Sequence, residues 1–267
     1  MGEFALSHRS VIRRQSCKNS RVNPFVAIAP AIAAAATGLA AYAGRYPGSN
    51  IFGPAIICTN SPRKLAITFD DGPNPTMTPR LLDLLDRHKV RATFFVIGQY
   101  ARRHPELLRE TMARGHVIGN HTDSHPNLFW RSATQTRDEL HRCHDAIANA
   151  LNAPPEFFRP PFGWRNPWLA SVARDLNLKV VTWTLLPGDW HAPTDEWLVN
   201  RLDPVSAHAK SSARSGGDIL CLHDGGHRAQ NADRTHTLAA LDRCLPRWRD
   251  LGLDFVTMNE AVSPPAS

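Results

Sequence analysis

At 267 residues, 42% of them hydrophobic, the chain suits one domain built around a single large core. Of the formal net charge of +7, the first 21 residues supply +4, through Arg9, Arg13, Arg14, Lys18 and Arg21 against Glu3. No Lys/Arg stripe interleaved with aromatics follows, so the basic balance does not indicate a nucleic-acid partner. The five cysteines, Cys17, Cys58, Cys143, Cys221 and Cys244, are scattered without a C-x-x-C pair, which indicates neither a zinc ribbon nor a redox motif. They read as mostly buried thiols, with at least one unpaired in a monomer.

In chain order, residues 1–23 form a basic arm and residues 24–43, PFVAIAPAIAAAATGLAAYA, carry no charge. That run is about long enough to cross a bilayer as a helix, although alanine and Pro30 make it only weakly apolar. Basic residues ahead of it predict a cytoplasmic arm and an exported remainder. AYA at 41–43 resembles a small-residue cleavage site, so signal peptide and signal anchor are both open, as are a transit peptide and a buried helix. The expected location is the cell envelope, either anchored in the inner membrane or periplasmic or secreted after cleavage. Residues 44–62, with Pro47, Gly48, Pro54 and Pro62, read as a linker, residues 63–260 as a single domain and 261–267 as a tail.

Within the domain, β-rich runs are expected at 65–69, 92–98, 116–120, 156–160, 179–185, 218–223 and 254–258. Helical periodicity covers 78–89, 101–115, 136–151, 167–177 and 234–252. Strands alternating with helices, several of them apolar on both faces, predict a parallel sheet covered by helices. About seven strands fit an open doubly wound sheet or a barrel, and the absence of GxGxxG after the first strand lowers the dinucleotide-binding option.

The polar candidates fall at strand ends: Asp70 and Asp71 after the first strand, His121 after the third, Arg159 near the end of the fourth. Asp189 and Trp190 come after the fifth and His223 ends the sixth. In a parallel α/β fold those ends share one rim, where active sites sit. His121 and His125 are spaced i, i+4, so one helical turn would aim both imidazoles the same way. Two histidines and one carboxylate leave a metal a position for water. A cation also accounts for adjacent like charges in ITFDDGPNP (67–75): one aspartate ligates it and the other accepts a proton from water. A glycosidase pair suits the segment poorly, because it needs carboxyl groups about 5 Å or more apart across one bond.

TFDDGPN, HTDSH, RPPFG, DW and the strand ending LH occur in the order in which they occur in the polysaccharide deacetylases of carbohydrate esterase family 4. The chain resembles that family, with its NodB homology domain, over about residues 63–258. The resemblance implies a distorted (β/α) barrel and hydrolysis of N-acetyl groups from N-acetylglucosamine glycans of peptidoglycan or chitooligosaccharide type. It implies a divalent metal, zinc, on Asp71, His121 and His125, with Asp70 as general base and His223 as general acid. Arg159 would hold Asp70 and Asp189 would orient His223. The backbone N–H of Phe162 would stabilise the oxyanion, and Trp190 would receive the acetyl methyl.

Two departures stand out. Thr184, Leu186 and Pro187 occupy ground where further acidic residues are frequent. Cys221 replaces a common leucine two residues before His223, and strand alternation puts it on the same face, toward the pocket; Leu222 lies between them as a further expected substrate contact. Asp224, before Gly225, reads as turn chemistry. Rival readings are a deacylase or deformylase of another amide, such as a lipid-linked aminosugar, and a catalytically silent carbohydrate-binding domain. Nothing in the sequence indicates oligomerisation.

Overall fold

The computed structural model describes residues 24–263, so the basic arm, Cys17 and the last four residues lie outside the described part. Of the described residues, those up to Ala40 and those from Ala41 onward form two separate units. The apolar run forms α1 (Pro24–Arg45). Among the described residues no helix is long and apolar enough to cross a membrane, so the expected anchor finds no support here.

The second unit is a seven-stranded, all-parallel sheet: β1 (Lys64–Gly72), β2 (Thr93–Val96), β3 (Val117–Asn120), β4 (Phe157–Phe158), β5 (Lys179–Val180), β6 (Ile219–His223) and β7 (Asp254–Val256). The order is β5-β4-β3-β2-β1-β6, with β7 paired to the start of β1. Past β5 the chain runs on to β6, where Leu185 bridges Leu220 and the Cys221 N–H donates to the Leu185 carbonyl at 2.9 Å. The sheet therefore curls into a distorted, incomplete barrel, as the resemblance implied.

Strand alternation sorts the core into two layers. Leu65, Ile67, Phe69, Leu220 and Leu222 point outward into an apolar layer beneath the helices. Ala66, Phe95, Phe157, Ile219 and Cys221 point inward and fill the barrel with Val181 and Trp183. Asp70 and His223 continue the inward rows of β1 and β6 and stand in register as direct neighbours.

The helices are α2 (Met77–Arg87), α3 (Gly98–Arg103), α4 (Pro105–Ala113), α5 (Ala133–Leu151), α6 (Leu169–Asp175), α7 (Asp195–Ala209), α8 (Thr235–Asp250) and α9 (Met258–Val262). The single helix expected over 101–115 is two, because Pro105 cannot continue a helix and starts a new one at its first position. Helix α5 begins on a reciprocal cap between Ser132 and Gln135. Helix α7 has no counterpart among the expected elements; its apolar positions are broken by charge and by Pro204, and it is fixed by the Thr194 cap and by packing on α8.

Residues 44–62 are less free than a linker. The buried Arg165 guanidinium donates to the carbonyls of Ser49, at 2.7 Å, and Tyr46, and Ile56 bridges Val181. Paired carbonyls let a strand-poor, proline-rich segment lie against the domain. Of the described cysteines, Cys143, Cys221 and Cys244 are buried thiols and Cys58 is exposed, in line with the expectation that most are buried.

Candidate active site

In a regular strand Asp70 and Asp71 would face opposite sides of the sheet. Instead β1 carries both aspartates inside its last turn of pairing, and its register shifts between Asp70 and Gly72. Asp71 takes φ 69, in the left-handed region that aspartate tolerates better than most residues. The bulge re-aims the second carboxylate, so both line one cavity.

His121 and His125 do not lie on a helical turn. They occupy an irregular loop after β3 in which Thr122 (φ 67) and His125 (φ 58) are left-handed. Side chains substitute for the missing helical hydrogen bonds. Asn120 accepts from the Thr122 N–H at 2.8 Å, and Thr122 Oγ1 accepts from the His125 N–H at 3.1 Å. Glu139, on α5, accepts from the N–H groups of Asp123 and Ser124 and from the Ser124 hydroxyl, at 3.0, 2.8 and 2.7 Å. The i, i+4 spacing brings the two rings together through this knotted loop, 4.9 Å apart at their centroids.

Asp71 Oδ1 lies 3.1 Å from His125 Nε2 and 3.6 Å from His121 Nε2. Donors bound tetrahedrally at zinc–nitrogen and zinc–oxygen lengths stand about 3.4 Å from one another, so the three fit a cation between them. That carboxylate oxygen is buried without a hydrogen-bond partner among the described residues, a state a cation would relieve. The Arg159 carbonyl, which can only accept, lies 2.7 Å from His121 Nδ1, so Nδ1 carries the hydrogen and Nε2 is free to ligate. Burial pushes His125 down to about 3, despite Asp71, keeping the ring neutral as a ligand must be. Burial would raise Asp71, but His227, His125, His223 and His121 together hold it well below the usual carboxylate range.

The other carboxylate is held differently. Arg159 is fully buried in the barrel, its guanidinium 4.2 Å over the Phe95 ring. Its Nη1 donates to Asp70 Oδ1 at 2.8 Å and to Thr68 Oγ1 at 2.7 Å, and its Nη2 donates to the Thr182 carbonyl at 3.0 Å. Burial works to raise Asp70, but Arg159, helped by His121 and His223, lowers it below the ordinary value and keeps it ionised. Across the cavity Asp189 stands in a short helical turn after Gly188. It accepts from His223 Nδ1 at 2.8 Å through Oδ1, and from the His223 N–H at 2.9 Å and the Thr237 hydroxyl at 3.1 Å through Oδ2. Burial would lower His223, but Asp189, with Asp71 and Asp70, raises it to about 9, so its ring is cationic at neutral pH.

Asp70, Asp71, His125 and His223 line a cavity of about 480 Å³, of the size that holds a small ligand, with His121, Arg159 and Asp189 set behind them. Phe162 (φ 56) and Trp190 sit on its wall, the first edge-on to His125 and the second edge-on to His223. Cys221 also lines it, on the face alternation predicted. Leu222 does not: its side chain is buried in the outer core layer, because it is the outward residue between two inward ones. Asp224 lies in the bend that follows β6, as its turn chemistry suggested, but it does more than turn the chain. It is fully buried and bonded to the Thr78 hydroxyl, and burial raises it to about 7.

His227 escaped the sequence reading. Its N–H donates to Asp71 Oδ2 at 3.2 Å, and its ring stacks on His125 with centroids 4.4 Å apart. The one signal was position: a histidine shortly past the C-terminal end of β6, on the rim where the other site residues gather.

The polysaccharide deacetylase family model matches residues 58–181. A peptidoglycan-N-acetylglucosamine deacetylase of Bacillus cereus is 37% identical over 76% of this chain and 90% of its own length. A chitooligosaccharide deacetylase of Sinorhizobium fredii is 38% identical over 70% of this chain and 86% of its own. A solved peptidoglycan N-acetylglucosamine deacetylase matches with a TM-score of 0.68 and 29% identity, over 78% of this chain and 92% of that one.

Proposed function

The chain belongs to the polysaccharide deacetylase family, and from that premise we propose that it hydrolyses N-acetyl groups of N-acetylglucosamine units in an envelope glycan of peptidoglycan or chitooligosaccharide type. One observation carries the reading: the Asp71–His121–His125 donor set opens, through Asp71 and His125, onto the cavity that an ionised spare carboxylate and a cationic histidine also line. Such a constellation suits amide hydrolysis, which needs a proton removed from water and another delivered to a departing amine.

Asp71, His121 and His125 would hold one divalent cation, which we take to be zinc because the donors are two imidazoles and one carboxylate. When bound it supplies Lewis-acid polarisation of the acetamide and makes water more acidic. Asp70 takes the proton from the attacking water, and Arg159 fixes the carboxylate that does so. The Phe162 N–H donates to the developing oxyanion. His223 gives its proton to the amide nitrogen as the C–N bond breaks, leaving acetate and a free amine. Asp189 is a positioning residue that keeps the His223 ring charged and turned toward the cavity, and Trp190 walls the space for the acetyl methyl. Residues 24–43, as an export signal, would deliver the domain to the envelope.

Acetate release from chitopentaose and from N-acetylated peptidoglycan tests the reading. Release should stop on chelation and return on adding one equivalent of zinc. A protein that carries its metal yet frees acetate from neither substrate would overturn it.

The charge on His223 also fixes an alkaline limit. The general acid is lost as pH rises through its pKa, so kcat/KM should fall with a midpoint at or below about 9, the bound cation pulling it downward. Asp189→Asn removes the largest influence holding the ring protonated. It should move that midpoint down by about one pH unit or more, as rate measurements from pH 6 to pH 10 would show. An unmoved midpoint would mean that another group sets the limit.

A further inference from the structure

Beside the proposed metal triad lies a second set of donors. Asp70 Oδ1 is taken by Arg159, but Oδ2 points to the Cys221 thiol, with Sγ at 3.3 Å. Asp189 engages His223 Nδ1, which leaves Nε2 as that ring's free nitrogen. One ligand atom each from Asp70, Cys221 and His223 lie within 4.8 Å of one another. All three side chains line the same solvent-connected cavity, so an ion has a way in. Oxygen, sulfur and nitrogen are the donor types that a soft divalent ion takes in a four-coordinate site, with a position left for water.

We propose that Asp70, Cys221 and His223 form a second, inhibitory cation site, selective for soft divalent ions, that fills only when metal is in excess. Asp70 offers Oδ2 while Oδ1 stays paired with Arg159. The incoming ion displaces two protons, one from the thiol and one from the His223 ring, and bonds to sulfur, nitrogen and carboxylate oxygen. Several features make this the weaker of two sites. Burial pushes the Cys221 thiol well up, His223 holds its proton to about 9, and Arg159 and the first cation repel a second. A cation there takes the oxygen that would accept one proton and the nitrogen that would deliver the other, so it stops turnover without displacing the first metal. The inhibitory consequence rests on the function proposed above; the existence of the site does not.

The test uses the full chain carrying Cys17→Ser and Cys58→Ser, which removes the thiols that are not buried in the described core, loaded with one equivalent of zinc. Cadmium is then titrated in. Two readouts are followed: metal per chain after gel filtration, and the thiolate-to-cadmium charge-transfer absorption. A second equivalent should bind together with that absorption, and Cys221→Leu and Cys221→Ser should each lose both while keeping the first equivalent. Retention of the first equivalent shows that the variants fold. In the parent, cadmium at ten times the dissociation constant of the second site should leave about one-tenth of the one-equivalent activity. In Cys221→Leu, the same concentration should leave most of that variant's own one-equivalent activity. Binding of one equivalent only, or a second equivalent and absorption that survive Cys221→Leu, would overturn the site. If the spectral and stoichiometric results hold but the one-equivalent protein shows no hydrolysis, the functional reading fails and the cation site stands.

Discussion

Asp70→Asn should lower kcat for acetate release by about 10²- to 10⁴-fold, the range a positioned general base supplies, while zinc per chain stays at one equivalent. The two aspartates are adjacent in sequence and share a cavity, yet their surroundings differ. Asp71 Oδ1 faces two imidazole nitrogens at 3.1 and 3.6 Å, whereas Asp70 spends one oxygen on Arg159 at 2.8 Å. An amide at position 70 keeps the shape but cannot accept a proton. Asp71→Asn should instead lose the metal, because an amide is a poor substitute for a charged ligand. Metal analysis and steady-state rates on the same preparations separate the cases. If Asp70→Asn kept kcat within about threefold, or lost its metal along with its activity, the division of labour would be wrong.

Most of this site was legible because strand chemistry is local. Alternation alone put Cys221 and His223 on one face, and the gathering of polar residues at strand ends pointed to one rim before any contact was known. Arg159 could be placed there as well, since it follows β4 directly. What could not be read is how the backbone bends at those ends. The i, i+4 histidines suggested a helical turn, but their loop is held by Glu139, 16 and 15 residues beyond the N–H groups of Asp123 and Ser124 that it binds. The bulge at Asp71 depends on pairing with β2, a partner the strand does not specify by itself.

The same reason explains His227 and Asp224. Both lie in a glycine-rich segment after β6, which in isolation is indistinguishable from a solvated turn. Only the folded barrel brings that segment over His125 and buries Asp224 against α2. The docked 44–62 strap is a further case: its proline content reads as a linker, and a distant arginine supplies the donors that hold it. Non-local hydrogen bonds of this kind leave no periodicity to detect.

Arg159→Met should destabilise the metal-free protein by about 3–5 kcal/mol, the cost of stranding a buried carboxylate without its partner. That is a large part of the roughly 5–15 kcal/mol that holds a domain together. The guanidinium is fully buried and makes three hydrogen bonds, to Thr68, Asp70 and the Thr182 carbonyl. Removing it leaves Asp70 buried, facing the space that Arg159 had filled against Phe95 and Trp183, where ionisation is penalised and a carboxyl would hold its proton. Activity should therefore fall with stability, and its acid limb should move to higher pH because the base is now harder to ionise. Arg159→Lys should rescue little, since a single ammonium cannot reach three acceptors spread around a planar fork. The Arg159→Met/Asp70→Asn pair is the decisive comparison. With the charge gone there is nothing to strand, so the double variant should be more stable than Arg159→Met alone, although it lacks one further native contact. Urea unfolding of the four proteins measures this directly. If the two substitutions simply add, the buried arginine is packing rather than a counter-charge, and its place in positioning the base has to be given up.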